Sequence, residues 1–251
     1  MENLEGVDRV FYELASESRL GILRELLIKN YKMQEIARKL DLTDTEAFRQ
    51  LQRLSEALLI QRQPDGSYAI TQYGKLLMQF AHSFEFAFKF KKCLITRDLW
   101  RIPEPFINRF GELAESSLST DTIGMLNGVE LLIKNVEKYL WVMSDRPMNL
   151  FSSEITELLQ KNVFAIRILI DERSLPLYQN IPEVKGILEK KVIPVSPATM
   201  IISEKYAGIN MLSIDGRADS AIFYGKDPAF LRWANDLFCY YWDQGKRCYP
   251  E

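Results

Sequence analysis

Apolar residues recur at helical spacing twice in quick succession. Met33, Ile36 and Leu40 line one face of a first short helix, and Ala47, Leu51, Leu54 and Leu58 line one face of a second. Such stripes leave water by packing together. Asp41 and Leu42 leave a connection of about three or four residues, which sets two helices at a steep angle, with Leu42 plugging the corner. Thr43 stands three residues before Glu46, the spacing of a capping box that fixes where the second helix begins. After Leu59-Ile60, the runs Gln61-Arg62-Gln63 and Tyr68-Ala69-Ile70 read as two short strands around the turn former Pro64-Asp65-Gly66-Ser67.

Helix, turn, helix and hairpin in that order predict an α+β winged helix-turn-helix domain over residues 1–72. Opposite the second stripe, Thr45, Arg49, Gln52 and Glu56 recur at helical spacing, with Arg53 beside them. Arg pairs bidentately with guanine and Gln with adenine, and recognition helices present such groups mainly from their N-terminal half. Arg49 and Gln52 are therefore the expected base readers. Phe48 sits at the edge of the stripe and either packs on the preceding helix or meets a thymine methyl. Arg62 and Tyr68 suit phosphate or sugar contacts, with Ser67 at the wing tip. The plainer readings are a solvated helix face and a hairpin that only covers the core.

From Thr71 onward the chain reads as one long aromatic helix in which Leu76, Leu77, Phe80, Phe84, Ala87 and Lys91 follow helical steps, while Phe86, Phe88 and Phe90 broaden the apolar surface. Residues 73–120 are expected to form a helical connector, either packed within its own chain or shared with a second copy in a homodimer. Ile102-Pro103-Glu104-Pro105 interrupts it, and residues 112–121 look like a surface connection.

Residues 121–251 alternate in kind. Helices at 125–136, 152–161 and 228–245 intersperse strands at 139–143, 164–170, 200–203, 209–214 and 220–223, an α/β pattern with the last helix closing the domain. Ligand sites in such domains collect at the carboxyl ends of strands. Here those ends are Ser144-Asp145-Arg146, Asp171-Glu172-Arg173 and Ser203-Glu204-Lys205, which makes Ser144, Asp145, Asp171, Ser203 and Lys205 candidates for a small-molecule effector. Solvated turns, a protein-interaction surface or a dimer scaffold are the alternatives.

Upstream, FYELASESRLGILRELL carries Leu14-Ala15, Ser16 to Ser18, Arg19-Leu20 and Ile22-Leu23 in the order found in ArsR-like winged-helix regulators, which it resembles. The segments LITRDLWRIPEPFINRFGEL, KYLWVMSDRPM, ATMIISEKYAGINML and SIDGRADSAIFYGKDPAFLRWANDLFCYYWDQGKR extend the likeness. The chain resembles archaeal winged-helix regulators with a methanogenesis-regulatory type of sensor domain. This resemblance implies a DNA-binding transcriptional regulator whose C-terminal domain has a phospholipase D-like fold, as in TrmB-like regulators.

Phosphodiester chemistry on that fold requires an HxK motif, whose histidine attacks phosphorus. The single histidine is His82, so the nucleophile is missing and no enzyme is expected. His82 reads as a partly buried packing residue. Cys93, Cys239 and Cys248 form no CxxC pair, which argues against a metal site, and no cofactor is expected. Asp215, Arg217 and Asp219 read as a polar turn between strands. At 251 residues, 47% hydrophobic and 26% charged, the composition is that of one large or two small globular domains in the cytoplasm, without a run apolar enough to cross a bilayer. The net charge is −2, and residues 1–92 hold 14 Lys and Arg against 13 Asp and Glu. So weak a positive balance favours two copies on double-stranded DNA over one.

Overall fold

The computed structural model describes residues 6–145, 165–178, 188–215 and 219–247, and the chain divides into two units, Met1–Ala81 and His82–Glu251. The first unit holds α1 (Val7–Leu14), α2 (Glu17–Ile28), α3 (Met33–Lys39), α4 (Asp44–Glu56), the antiparallel hairpin β1 (Ile60–Arg62) and β2 (Tyr68–Ile70), and the start of α5 (Gln72–Lys89). Ser16 caps α2 by accepting from Arg19 N–H at 3.4 Å, and Thr43 caps α4 by accepting from Glu46 N–H at 3.2 Å. Glu46 itself accepts from Ser18 Oγ at 3.4 Å. Ile22, Leu23, Leu26, Ile36, Leu51 and Leu54 form the core, each stabilising the unit by roughly 1.5–3 kcal/mol through burial. Thr71 caps α5 by accepting from Gly74 N–H at 2.9 Å. Gly74 is required there, because a Cβ would lie 2.3 Å from the Leu59 carbonyl oxygen.

Two local expectations for this unit are corrected. Leu58 does not continue the α4 stripe: the helix ends at Glu56, Leu58 turns into the left-handed region at φ 61° and is 69% exposed, and Leu59 enters the core instead. On α5 the buried positions are Gly74, Met78, Ala81 and Phe86, whereas Leu76, Phe80 and Phe84 of the expected stripe are exposed. Aromatic residues surround this helix, so periodicity alone did not select the buried face.

In the second unit, β3 (Ser117–Ser119), β4 (Tyr139–Ser144), β5 (Ala165–Asp171), β6 (Leu188–Ile193), β7 (Ala198–Ser203), β8 (Ala207–Met211), β9 (Ile222–Gly225) and β10 (Lys246–Arg247) form one sheet ordered β10-β6-β5-β4-β7-β8-β9-β3. β4, β5 and β6 run parallel, and β4 pairs antiparallel with β7. Strand alternation sends side chains to both faces. Leu140, Val142, Ile166, Ile168, Ile170 and Ile201 join Leu132 and Ile133 of α8 (Thr122–Lys134) on one side. Met143, Leu169, Met200 and Ile202 join Trp233, Leu237 and Phe238 of α9 (Pro228–Gln244) on the other.

That second cluster also buries Phe86, Phe90, Ile102, Phe106, Phe110 and Leu113. The short helices α6 (Lys91–Leu94) and α7 (Glu104–Ile107) lie in this stretch. Residues 86–113 thus contribute to the core of the second unit, the intramolecular packing that was one of the two alternatives for the connector at 73–120. The expected surface connection at 112–121 contains β3, which pairs with β9. His82 is exposed, with Nδ1 2.9 Å from Glu85 Oε2, rather than a packing residue. Asp219 is more than a turn residue: it receives the buried Arg97 guanidinium through both oxygens, one at 2.9 Å, and Asn210 donates to its backbone carbonyl at 3.0 Å. The helix expected at 152–161, together with Arg146, Arg217 and Cys248, lies outside the described residues. Among the described residues no helix is long and apolar enough to cross a membrane.

Candidate nucleic-acid interface

The outward face of α4 follows from its inward one. Ala47, Leu51 and Leu54 are fully buried, which turns Thr45, Phe48, Arg49 and Gln52 outward at the i, i+3, i+4, i+7 spacing of a single helical face, all exposed. Arg49 has no ion-pair partner among the described residues. Gln52 donates from Nε2 to Glu56 Oε1 at 2.9 Å, which orients its amide and leaves the carbonyl oxygen and one N–H free to meet a base edge. Phe48 is 56% exposed and is not among the partly buried side chains packed on the core of this unit.

Behind this face α4 is held by buried polar contacts. Arg19, 6% exposed, donates to Gln50 Oε1 at 3.0 Å, to Tyr12 O at 2.6 Å and to Glu13 O at 2.8 Å. One guanidinium thus joins α2 to α4 while satisfying carbonyls at the end of α1 that the helix itself leaves unpaired. Arg19 and Gln50 were not singled out from the sequence as functional, and the one available signal was their pairing of a charged and an amide residue at otherwise apolar positions. Arg53 is engaged on the same side: it meets Glu13 Oε1 at 2.8 Å and stacks on the Tyr12 ring at 4.9 Å. Hydrogen bonds to Glu13 and then Tyr12 raise its pKa, and these contacts aim it at α1 instead of at a ligand of the outward face.

The hairpin divides its candidates differently. Arg62 is exposed, and its guanidinium lies over the turn, where Nη2 would be 3.9 Å from a Cβ at Gly66. Ser67, expected at the tip, is 5% exposed, donating to Asp65 Oδ1 at 2.7 Å through its hydroxyl and 2.9 Å through its N–H. These two bonds pull the Asp65 carboxyl below its ordinary pKa and stiffen the turn. Tyr68 is half-buried against the core, and its backbone exchanges hydrogen bonds with Tyr31 at 3.3 and 2.8 Å, adding a third extended segment to the hairpin.

The candidate effector residues do not form one site. β7 runs antiparallel to β4, with Leu140 opposite Ser203, so Ser203 and Lys205 lie at the opposite end of the sheet from Ser144, Asp145 and Asp171. At the first end Asp171 is fully buried and accepts from Arg173 N, Nε and Nη2 at 3.0, 2.9 and 2.8 Å and from Ser196 N at 2.8 Å. Burial pushes its carboxyl up, but bonds from the Arg173 side chain and the Ser196 amide outweigh this and hold it below the ordinary range. Asp145 accepts from Thr199 Oγ1 at 3.1 Å, and its carbonyl from Ser174 Oγ, while Ser144 is fully buried. At the other end Ser203 Oγ accepts from Tyr206 N at 3.1 Å and Lys205 N at 3.3 Å, and Lys205 pairs with Glu137.

No protein-family model matches the chain, and no curated protein matches it in sequence. Solved structures similar to it include TrmBL2, described as an archaeal chromatin protein with a novel mode of DNA binding, at 14% identity over 90% of this chain and 92% of that one, with a TM-score of 0.43. NucT from Helicobacter pylori is similar at 8% identity over 53% of this chain and 99% of its own, with a TM-score of 0.39. Nuc from Salmonella typhimurium, a phospholipase D family member, matches at 14% identity over 54% of this chain and 100% of its own, with a TM-score of 0.35. Likenesses this slight do not bear on fold family or activity.

Proposed function

We propose that the chain is a sequence-specific, double-stranded-DNA-binding transcriptional regulator, with a winged helix-turn-helix in its first unit and a non-catalytic, phospholipase D-like, effector-sensing second unit. One observation carries this reading. α4 holds Thr45, Arg49 and Gln52 outward on a helix fixed from behind by Arg19 and Gln50, so groups able to read base edges are already in place before any ligand arrives. The non-catalytic part is supported by the single histidine, His82, which lies on α5 and not in the sheet. The sensing part rests on the resemblance of the sequence to regulators with a sensor domain, and an affinity for DNA indifferent to a metabolite panel would remove it.

A homodimer belongs to the same proposal. α1 has only 8 residues, none of them buried, although an isolated helix shorter than about 12–15 residues is marginal in water. Beside it lies a groove of about 790 Å³ floored by Val10, Ala57, Leu59, Tyr73 and Leu77. Asp8, Arg9 and Glu56 give that groove a rim of mixed sign, which is self-complementary when a second copy of α1 approaches across a two-fold axis. Sedimentation of the full chain should therefore give a dimer.

The deciding experiment selects duplexes from a random pool and titrates the enriched site. Arg49→Ala and Gln52→Ala should each cost about 1–3 kcal/mol of discrimination while leaving the fold intact. Absence of any salt-dependent DNA binding by the wild-type chain would sink the proposal. It would favour a protein-interaction module instead, a second reading favoured by the exposed Leu76 and Phe80 on α5.

A further inference from the structure

From Phe48 we infer that the operator carries a thymine at a fixed place, read through its 5-methyl group beside the base that Arg49 reads. The inference rests on the DNA-binding reading and specifies its chemistry.

Phe48 stands at one edge of the outward face, about one turn from Thr45 and Gln52 and next to Arg49 in the chain, and is 56% exposed. Among the described residues it makes no ring contact. An isolated exposed phenylalanine needs no explanation on an ordinary surface. Here its neighbours are the residues that would enter the groove, and whatever they approach must also accommodate an aromatic ring. The edges of base pairs in the major groove are hydrogen-bonding groups with one apolar exception, the thymine methyl. A ring placed against any other edge would strip water from donors or acceptors and give nothing back.

The geometry fixes the neighbourhood as well. At 1.5 Å per residue, Thr45 to Gln52 spans about 10 Å along α4, roughly three base steps at 3.4 Å each. Phe48 and Arg49 lie within about 1.5 Å of each other along the axis and about 100° apart around it. They therefore address the same or adjacent base pairs. A guanine next to a thymine is the step this pair of side chains fits, with the Thr45 methyl and the Gln52 amide extending the contact on either side.

The experiment uses the full chain and the duplex enriched from a random pool. Each thymine is replaced singly by deoxyuridine, which pairs identically and lacks only the methyl. With wild-type protein, one such replacement should weaken binding about fourfold, the effect of one methyl group left unburied. With Phe48→Ala, binding to the parent duplex should fall by at least that factor, and the same deoxyuridine replacement should then cost nothing, so the two changes are coupled. Circular dichroism of Phe48→Ala should match wild type, as expected for an exposed side chain. If every deoxyuridine duplex binds like its parent while Arg49→Ala still abolishes selectivity, the thymine inference is overturned and the DNA-binding reading stands. If Phe48→Ala weakens all duplexes equally and the deoxyuridine penalty persists, Phe48 is not the reader and the inference again fails. If the wild-type chain binds no DNA, both fail, and Phe48 is left as an anchor for a protein partner.

Discussion

Polar residues gather in two regions of the molecule, the outward face of α4 and the end of the sheet at Ser144, Asp145 and Asp171, and the two use them oppositely. On α4 the hydrogen-bonding groups are exposed and Arg49 has no partner among the described residues. At the sheet end Asp171 is fully buried and receives four hydrogen bonds from its own chain. Charged groups that are saturated internally stabilise a fold, and charged groups held outward on a rigid helix are available to a ligand. Hydrogen bonding to the chain itself therefore separates the candidate site from the scaffold better than polarity does.

The largest expected effect tests that separation directly. Asp171→Ala should destabilise the second unit by about 2–3 kcal/mol, because the Ser196 amide loses its acceptor and Arg173 its partner in a buried setting. Arg49→Ala should change stability by no more than about 0.5 kcal/mol. All four tryptophans lie in the second unit, at positions 100, 141, 233 and 242, so urea denaturation followed by their fluorescence reports that unit. A neutral Asp171→Ala would break the comparison and return Asp171 to the candidate effector residues.

The difference between the regions also explains what the sequence made legible. α3, α4 and the hairpin emerged almost residue by residue, because the stripe of Ala47, Leu51 and Leu54 and the Thr43 cap are local signals. Leu58 failed because a left-handed cap is a backbone event with no compositional mark when glycine is absent. Ser203 and Lys205 were grouped with Asp171 because strand direction is set by pairing partners far along the chain, and the reversal of β7 against β4 moves them to the other end. β6 was missed since LEKKVI carries charges on a strand whose neighbour, β10, is a two-residue edge strand. Position alone gives Ser67 and Arg53 outward roles. Asp65 holds Ser67 across a two-residue turn whose side-chain geometry leaves no mark in the pattern, and Glu13, far from Arg53 in the chain, is near it only in the fold.

Acid should act on the second unit more than on the first. Burial raises the carboxyls of Asp171, Asp219, Glu112 and Glu204, but hydrogen bonds from Arg173, Arg97, Arg109 and backbone amides respectively outweigh it, and all four are held below their ordinary values of 3.8 and 4.5. Groups with depressed folded-state pKa values contribute stability that is present above the ordinary range and lost as pH falls through the shifted values. Among the described residues of the first unit, only the exposed Asp65 is a carboxyl shifted in this way. Tryptophan fluorescence should therefore show the urea midpoint holding above the ordinary carboxylate range and falling once pH drops into and below it, where the unfolded chain takes up protons before these four groups do. A midpoint flat on acidification through that range would mean that these four hydrogen-bonded carboxylates, of which Asp171 alone is fully buried, do not stabilise that unit.

The smallest effect tests whether α4 can be altered in stability without altering its face. Leu58 ends the helix at φ 61°, a conformation that costs an L-residue with a side chain roughly 1 kcal/mol and glycine almost nothing. Its side chain is 69% exposed, so little burial is lost on removing it, and Leu59 N–H already closes the turn on the Leu54 carbonyl at 2.9 Å. Glycine also raises the entropy of the unfolded chain, which offsets part of the relief. Leu58→Gly should thus stabilise the first unit by a few tenths of a kcal/mol up to about 1 kcal/mol, measured as a rise in its thermal midpoint by far-UV circular dichroism. Binding of the selected duplex should be unchanged, because Thr45, Phe48, Arg49 and Gln52 lie at least one and a half turns away along α4. A more stable variant that binds DNA more weakly would show that Leu58 itself faces the ligand, and the boundary of the interface would then extend beyond the end of the helix.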